Sequence, residues 1–94
     1  MNRKDQIKEL LENLCLRIRN KFPNSVVFYN YNEDADTADI IFRKKYFTED
    51  NRPLNCALFY RVSLEDIYAG VVEAQYTFDE IESEIRRWEM ENLN

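Results

Sequence analysis

The chain has 94 residues, of which 45% are hydrophobic, 14% aromatic and 33% charged, the composition of one folded domain spanning residues 1–94 rather than of a disordered chain. A chain of this length buries roughly 60–70% of its unfolded surface, enough for one modest core. Thirteen bases against eighteen acids leave a net charge of −5, and with no histidine the commonest general base, the commonest metal ligand and every Ser-His or Cys-His pair are excluded.

Asn2 or Asp5 can cap a first helix, in which Ile7, Leu10, Leu11, Leu14, Ile18 and Phe22 recur on one face with Cys15 beside them. Pro23 cannot continue the hydrogen-bond ladder, so the helix should end near Lys21–Phe22. Three runs rich in β-branched and aromatic residues follow: Ser25–Tyr31, Thr37–Phe47 and Asn55–Val62. A polar turn, Asn32–Asp36, separates the first two, and a loop carrying Pro53, Thr48–Leu54, separates the second and third. Such short connections favour an antiparallel meander.

Alternation along the strands assigns Val26, Phe28, Ile40, Phe42, Cys56, Leu58 and Tyr60 to an inner face. The outer face then holds Val27, Tyr29, Tyr31, Ile41, Arg43, Lys45, Phe59 and Arg61. That outer set mixes rings with cations, so either a helix covers part of it or the face binds something.

Ser63 is placed to cap a second helix, with Asp66 three residues on and a stripe of Leu64, Ile67, Tyr68, Val71 and Val72. Gly70 interrupts it, at about 1 kcal/mol relative to alanine. Ala74–Tyr76 would join this helix to a third, unless the two form one kinked helix. The third, Thr77–Leu93, places Phe78, Ile81, Ile85 and Trp88 on one face, and Thr77 with Glu80 has the T-x-x-E spacing of a capping box. Six of its other thirteen residues are acids, four of them in the first turn and a half, where the macrodipole favours negative charge. The expected fold is α+β: a three-stranded antiparallel sheet packed by helices, in the order α-β-β-β-α-α.

Little catalytic chemistry remains open. Gly70 is the one glycine, so no P-loop or dinucleotide fingerprint is possible. Cys15 and Cys56 are too few and too far apart for a disulfide framework or a zinc knuckle, and read as two buried thiols. Asn32, Glu33, Asp34, Asp36 and Asp39 crowd one hairpin, but a calcium loop counted from Asn32 needs Gly where Thr37 stands and Glu where Arg43 stands. The expectation is a non-enzyme without cofactor or metal. No apolar run approaches the roughly 20 residues of a membrane span, and no apolar signal segment follows Met1, so the expected compartment is the cytoplasm and no membrane partner is expected. Ten asparagines, with six tyrosines and six phenylalanines, suggest an AT-rich genome such as that of a low-GC bacterium or its phage.

Charge is distributed unevenly. Residues 1–22 hold six bases and three acids, residues 23–62 five bases and six acids, and residues 63–94 two bases and nine acids. The segment charges are therefore +3, −1 and −7. The nine late acids are Glu65, Asp66, Glu73, Asp79, Glu80, Glu82, Glu84, Glu89 and Glu91. Carboxylates fixed on a rigid helix can imitate a row of phosphates and steer association with a basic protein. With these acids, the small size and the α-β-β-β-α-α order, the chain resembles in outline, and without a shared motif, the small phage-borne inhibitors, among them anti-CRISPR proteins that act as DNA mimics. Arg86 and Arg87 depart from a pure mimic. The resemblance implies a phage or mobile-element inhibitor whose acids occupy a basic, nucleic-acid-binding site on a host or defence protein.

Two alternatives stand beside it. A nucleic-acid-binding regulator would use the basic first helix (Arg17, Arg19, Lys21) and the cluster Arg43, Lys44, Lys45 and Tyr46, against the repulsion of an acidic domain. Alternatively, those cations only discourage sheet-to-sheet pairing. A structural homo-oligomer would bury Trp88, Tyr29, Tyr31 and Phe59 in a symmetric interface.

Overall fold

A computed structural model describes residues 2–65 and 71–93, the side chains of 71–73 excepted. The elements run α1 (Arg3–Lys21), β1 (Ser25–Asn32), β2 (Thr37–Phe47), β3 (Pro53–Ser63) and α2 (Val71–Asn92). The strands form one antiparallel sheet in the order β1-β2-β3, and the two helices pack on one face of it, the α+β arrangement that the sequence predicts. No helix among the described residues is long and apolar enough to cross a membrane.

Local chemistry sets the boundaries. Asn2 Oδ1 accepts the Asp5 N–H at 2.8 Å and caps α1, and the Phe22 N–H donates to the Ile18 carbonyl at 2.9 Å just ahead of Pro23. Each of the three connections from α1 to β3 places one residue at positive φ: Asn24 at 66°, Asp36 at 53° and Asn51 at 63°. Short polar side chains tolerate this left-handed region, which is how a chain so poor in glycine turns three times. In the first hairpin Asn32 Oδ1 accepts the N–H of Ala35, three residues on, at 3.1 Å and so holds the turn. Pro53 opens β3 opposite Phe47 instead of lying in the loop, a place proline tolerates because the first residue of an edge strand needs no ladder donor.

The inner faces of β2 and β3 are as expected, with Ala38, Ile40 and Phe42 opposite Val62, Tyr60 and Leu58, and Cys56 buried beyond them. Those of β1 are exchanged. Val27 pairs with Phe42, Tyr29 with Ile40 and Tyr31 with Ala38, and residues directly paired across strands share a face. Val27, Tyr29 and Tyr31 therefore turn inward, and Val26 and Phe28 turn outward, 58% and 39% exposed. SVVFYNY is apolar in both phases of the alternation, so its pattern alone does not choose a face. Two tyrosines fit the inner edge because a phenol buries its ring and keeps its hydroxyl at the rim, where Tyr29 meets Glu12.

The described residues hold two complete helices, and the backbone is helical again at Leu64 and Glu65, where the expected second helix begins. Ala74–Tyr76 lie inside α2, and Thr77 is buried in its interior, so Thr77 and Glu80 form no capping box. An N-cap needs non-helical backbone. Ala74, Phe78, Ile81 and Ile85 keep one helical phase, and the helix continues through the expected joint. Ser63 ends β3, and the buried Leu64 is already helical. Asp66, Ile67, Tyr68 and Gly70 of the expected second helix lie outside the described residues, as do the side chains of Val71 and Val72.

The core lies between the layers. Ile7, Leu11, Leu14, Cys15, Ile18 and Phe22 of α1 meet the inner sheet face, and Phe78, Ile81 and Ile85 of α2 complete it. Phe22 and Phe42 pack edge to face at 5.6 Å. Trp88 is half-buried against Tyr46, with ring centroids 5.2 Å apart.

Candidate functional site

The acids of α2 fall into two rows because the helix buries only one stripe. On the first row, Lys21 Nζ stands 3.5 Å from the buried Oε2 of Glu82, an ion pair without a hydrogen bond. Glu89 takes an ion pair from Arg86 at 3.0 Å and the Tyr46 hydroxyl at 2.8 Å. These two carboxylates are thus neutralised within the chain.

The second row borders edge strand β3. Tyr60, Tyr76, Asp79, Glu80, Ser83, Glu84 and Arg87 line an open groove of about 550 Å³. The Tyr60 hydroxyl donates to Glu80, and with Tyr76 it holds that carboxyl below its ordinary range. Asp79 accepts from Gln75 at 2.9 Å, and Gln75 in turn accepts from Arg17 at 2.6 Å. No ion pair among the described residues engages Asp79, Glu80, Glu84 or Glu91, nor the exposed Glu65 after β3. Asp66 and the side chain of Glu73 lie outside the described residues. Of the described acids, Asp79, Glu80 and Glu84 line the groove unpaired, with Glu91 further along α2 and Glu65 after β3 likewise outside any ion pair.

The basic residues are dispersed. Arg43 and Lys45 face outward, while Lys44 and Tyr46 turn to the other side of the sheet, where Lys44 Nζ lies 5.1 Å from the Tyr46 ring and Tyr46 meets Trp88. Arg17 lies 4.3 Å over the Phe78 ring and Lys21 pairs with Glu82, so both turn toward α2, whereas Arg19 stays exposed. Of the four residues suggested for a symmetric interface, Tyr29, Tyr31 and Trp88 pack against the core, and Phe59 is 58% exposed. Three of the four hairpin acids find partners on neighbouring elements: Asp36 with Arg3 at 3.4 Å, Glu33 with Lys4 at 3.2 Å and Asp39 with Arg61 at 2.9 Å. Among the described residues no group of three or more His, Cys, Asp or Glu side chains is placed to hold a metal ion.

Sequence reasoning missed the groove tyrosines. Tyr60 counted only as a core residue and Tyr76 as part of a connector, and neither position carries a pattern that aims its hydroxyl at Glu80. Compared with protein-family models, curated proteins and solved structures, the chain matches none.

Burial sets a pH dependence. Desolvation pushes the Cys15 and Cys56 thiols up to about 11. Tyr46 and Tyr60 rise for the same reason, reinforced by their bonds to Glu89 and Glu80. A group raised in the folded state contributes stability that is full below its unfolded value and is lost as pH climbs through the folded one. Urea midpoints should therefore fall above pH 9.0, where an unfolded thiol begins to ionise, and faster above 10.0, where an unfolded phenol does. Y46F/Y60F should flatten the second part of that fall. Glu80 is lowered, so its contribution is present above 4.5 and disappears as pH falls through its folded value. Identical alkaline limbs for wild type and Y46F/Y60F would contradict the two tyrosine–glutamate bonds.

Proposed function

We propose that this is a non-catalytic binding protein that occupies a basic, nucleic-acid-binding site on a host or defence protein through the acidic outer side of α2. The observation that carries this reading is the run Asp79, Glu80 and Glu84 along the groove wall, unpaired with any base among the described residues. The opposite stripe of the same helix is locked into the core by Phe78, Ile81 and Ile85. Carboxylates four residues apart stand about 6 Å apart along a helix axis. Held on a rigid body they lose little entropy on docking, and their field speeds encounter with a cationic partner. Glu80 adds a charge that its two phenol donors keep ionised. Arg87 at the groove edge gives the surface a polarity that a uniform polyanion lacks.

The experiment is capture of partners from a low-GC bacterial lysate at about 50 mM and about 500 mM salt, a range over which the Debye length shrinks from about 14 Å to about 4 Å. The reading expects nucleic-acid-binding proteins to be retained at the lower salt, released at the higher and displaced by added DNA. Retention of no basic protein at either salt overturns it.

A further inference from the structure

The sheet face turned away from the helices carries a second surface, independent of docking through α2. Cross-strand register places Phe28, Ile41 and Phe59 in one row over three strands. The next row is Val26, Arg43 and Ala57, and Lys45 pairs with Asn55 beyond it. Phe28 is 39% exposed, Phe59 58% and Val26 58%, and both described helices pack on the other face. A guanidinium accompanies each ring: Arg43 lies 6.0 Å from the Phe28 centroid and Arg61 5.8 Å from that of Phe59. The small side chain of Ala57 beside Arg43 leaves room, and a depression of about 310 Å³ opens there, bordered by Asn24, Arg43, Lys45 and Asn55.

We infer that this open face binds single-stranded nucleic acid, with bases stacked on Phe28 and Phe59 and a phosphate held by Arg43 and Lys45 at the depression beside Ala57. Rings on a flat sheet offer stacking to any base with a free face, and duplex bases have none to offer. Phe28 and Phe59 stand on the two outer strands, about 10 Å apart, so they suit bases of one splayed strand. Arg43, Lys45 and Arg61 outnumber the single acid of these rows, Asp39, which is already paired with Arg61 at 2.9 Å. A polyanion is complementary to that charge. A second copy of the chain is not, because a two-fold interface through this face would bring together two surfaces of the same net positive charge. The acids of α2 lie across the sheet in the other layer, about 10 Å behind, so they make no direct contact with a strand bound on this face.

The test is fluorescence anisotropy of labelled single-stranded DNA and RNA probes of about 12 nucleotides, titrated with purified protein at about 50 mM salt. No second protein is present, so the result is independent of partner capture through α2. Binding in the micromolar range is expected, weaker for the duplex of the same sequence. F28A/F59A should weaken it by about tenfold or more, and circular dichroism should show the variant folded, since both rings are exposed. R43A/K45A should weaken it too, and should lower the slope of log affinity against log salt by about 0.7, the loss of one phosphate contact. No anisotropy change up to about 100 µM protein overturns the inference. So does binding that F28A/F59A leaves unchanged, and so does a concentration-dependent dimer that F28A/F59A dissolves while the probe stays unbound.

Discussion

Phe42→Ala is expected to destabilise the protein by about 3–5 kcal/mol. Phe42 is 1% exposed on the central strand, flanked by Val27 on one side and Leu58 on the other, and it meets Phe22 of α1 edge to face. Truncation removes the contact that ties the end of α1 to the middle of the sheet, and it leaves a cavity that three strands cannot close without losing register. A chain of this length has total stability of about 5–15 kcal/mol, so the variant loses a large part of it. The melting temperature should fall by at least about 12 °C. Phe42→Leu, which keeps most of the volume, should cost under about 1.5 kcal/mol. A Phe42→Ala variant within about 1 kcal/mol of wild type would mean that the two layers do not meet at this ring.

Ile85→Ala should cost about 2–5 kcal/mol, and its effect should be visible at the C-terminal helix. Ile85 is fully buried, and it follows Phe78 and Ile81 along the stripe by which α2 holds the core. Trp88 lies one turn further and is the only tryptophan, packed on Tyr46 while the Tyr46 hydroxyl binds Glu89. Its fluorescence therefore reports whether α2 is seated. In a cooperative domain of this size, tryptophan emission and far-ultraviolet circular dichroism should lose their native values in one transition, moved to lower urea by the substitution. A Trp88 transition separated from the circular dichroism transition would show α2 to be a loosely attached element, and a loose helix cannot present a fixed row of carboxylates.

The features most legible in the sequence were those set by strong periodicity. The stripe from Ile7 to Phe22, the stop at Pro23, the paired alternation of β2 and β3, and the inward run Phe78, Ile81 and Ile85 each follow from one dominant pattern. Where two patterns compete, local reading fails. β1 is apolar in both phases, and only pairing with β2 turns Val27, rather than Val26, toward α1. Thr77 and Glu80 have the spacing of a cap, yet the helical phase continues through them, and Thr77 is buried in helix interior. The candidate site was half visible for a similar reason. Charge shows in sequence, but pairing depends on which side of α2 each acid occupies and on what stands opposite. Glu82 and Glu89 meet Lys21, Arg86 and Tyr46, whereas Glu80 meets only phenols. The exposed row of Phe28, Ile41 and Phe59 needed the register of three strands, which no single stretch of the chain encodes.

The measurement that bears most directly on the α2 surface is the partner capture at low salt repeated with D79N/E80Q/E84Q as bait. These substitutions keep the side-chain shapes and the helix while removing three charges from the groove wall. The account predicts that the basic partner held by the wild type is lost from this bait, while Trp88 emission stays close to wild type and the urea midpoint falls only by the loss of the ionised Glu80–phenol bonds. Equal retention of the same partner by both baits would contradict it.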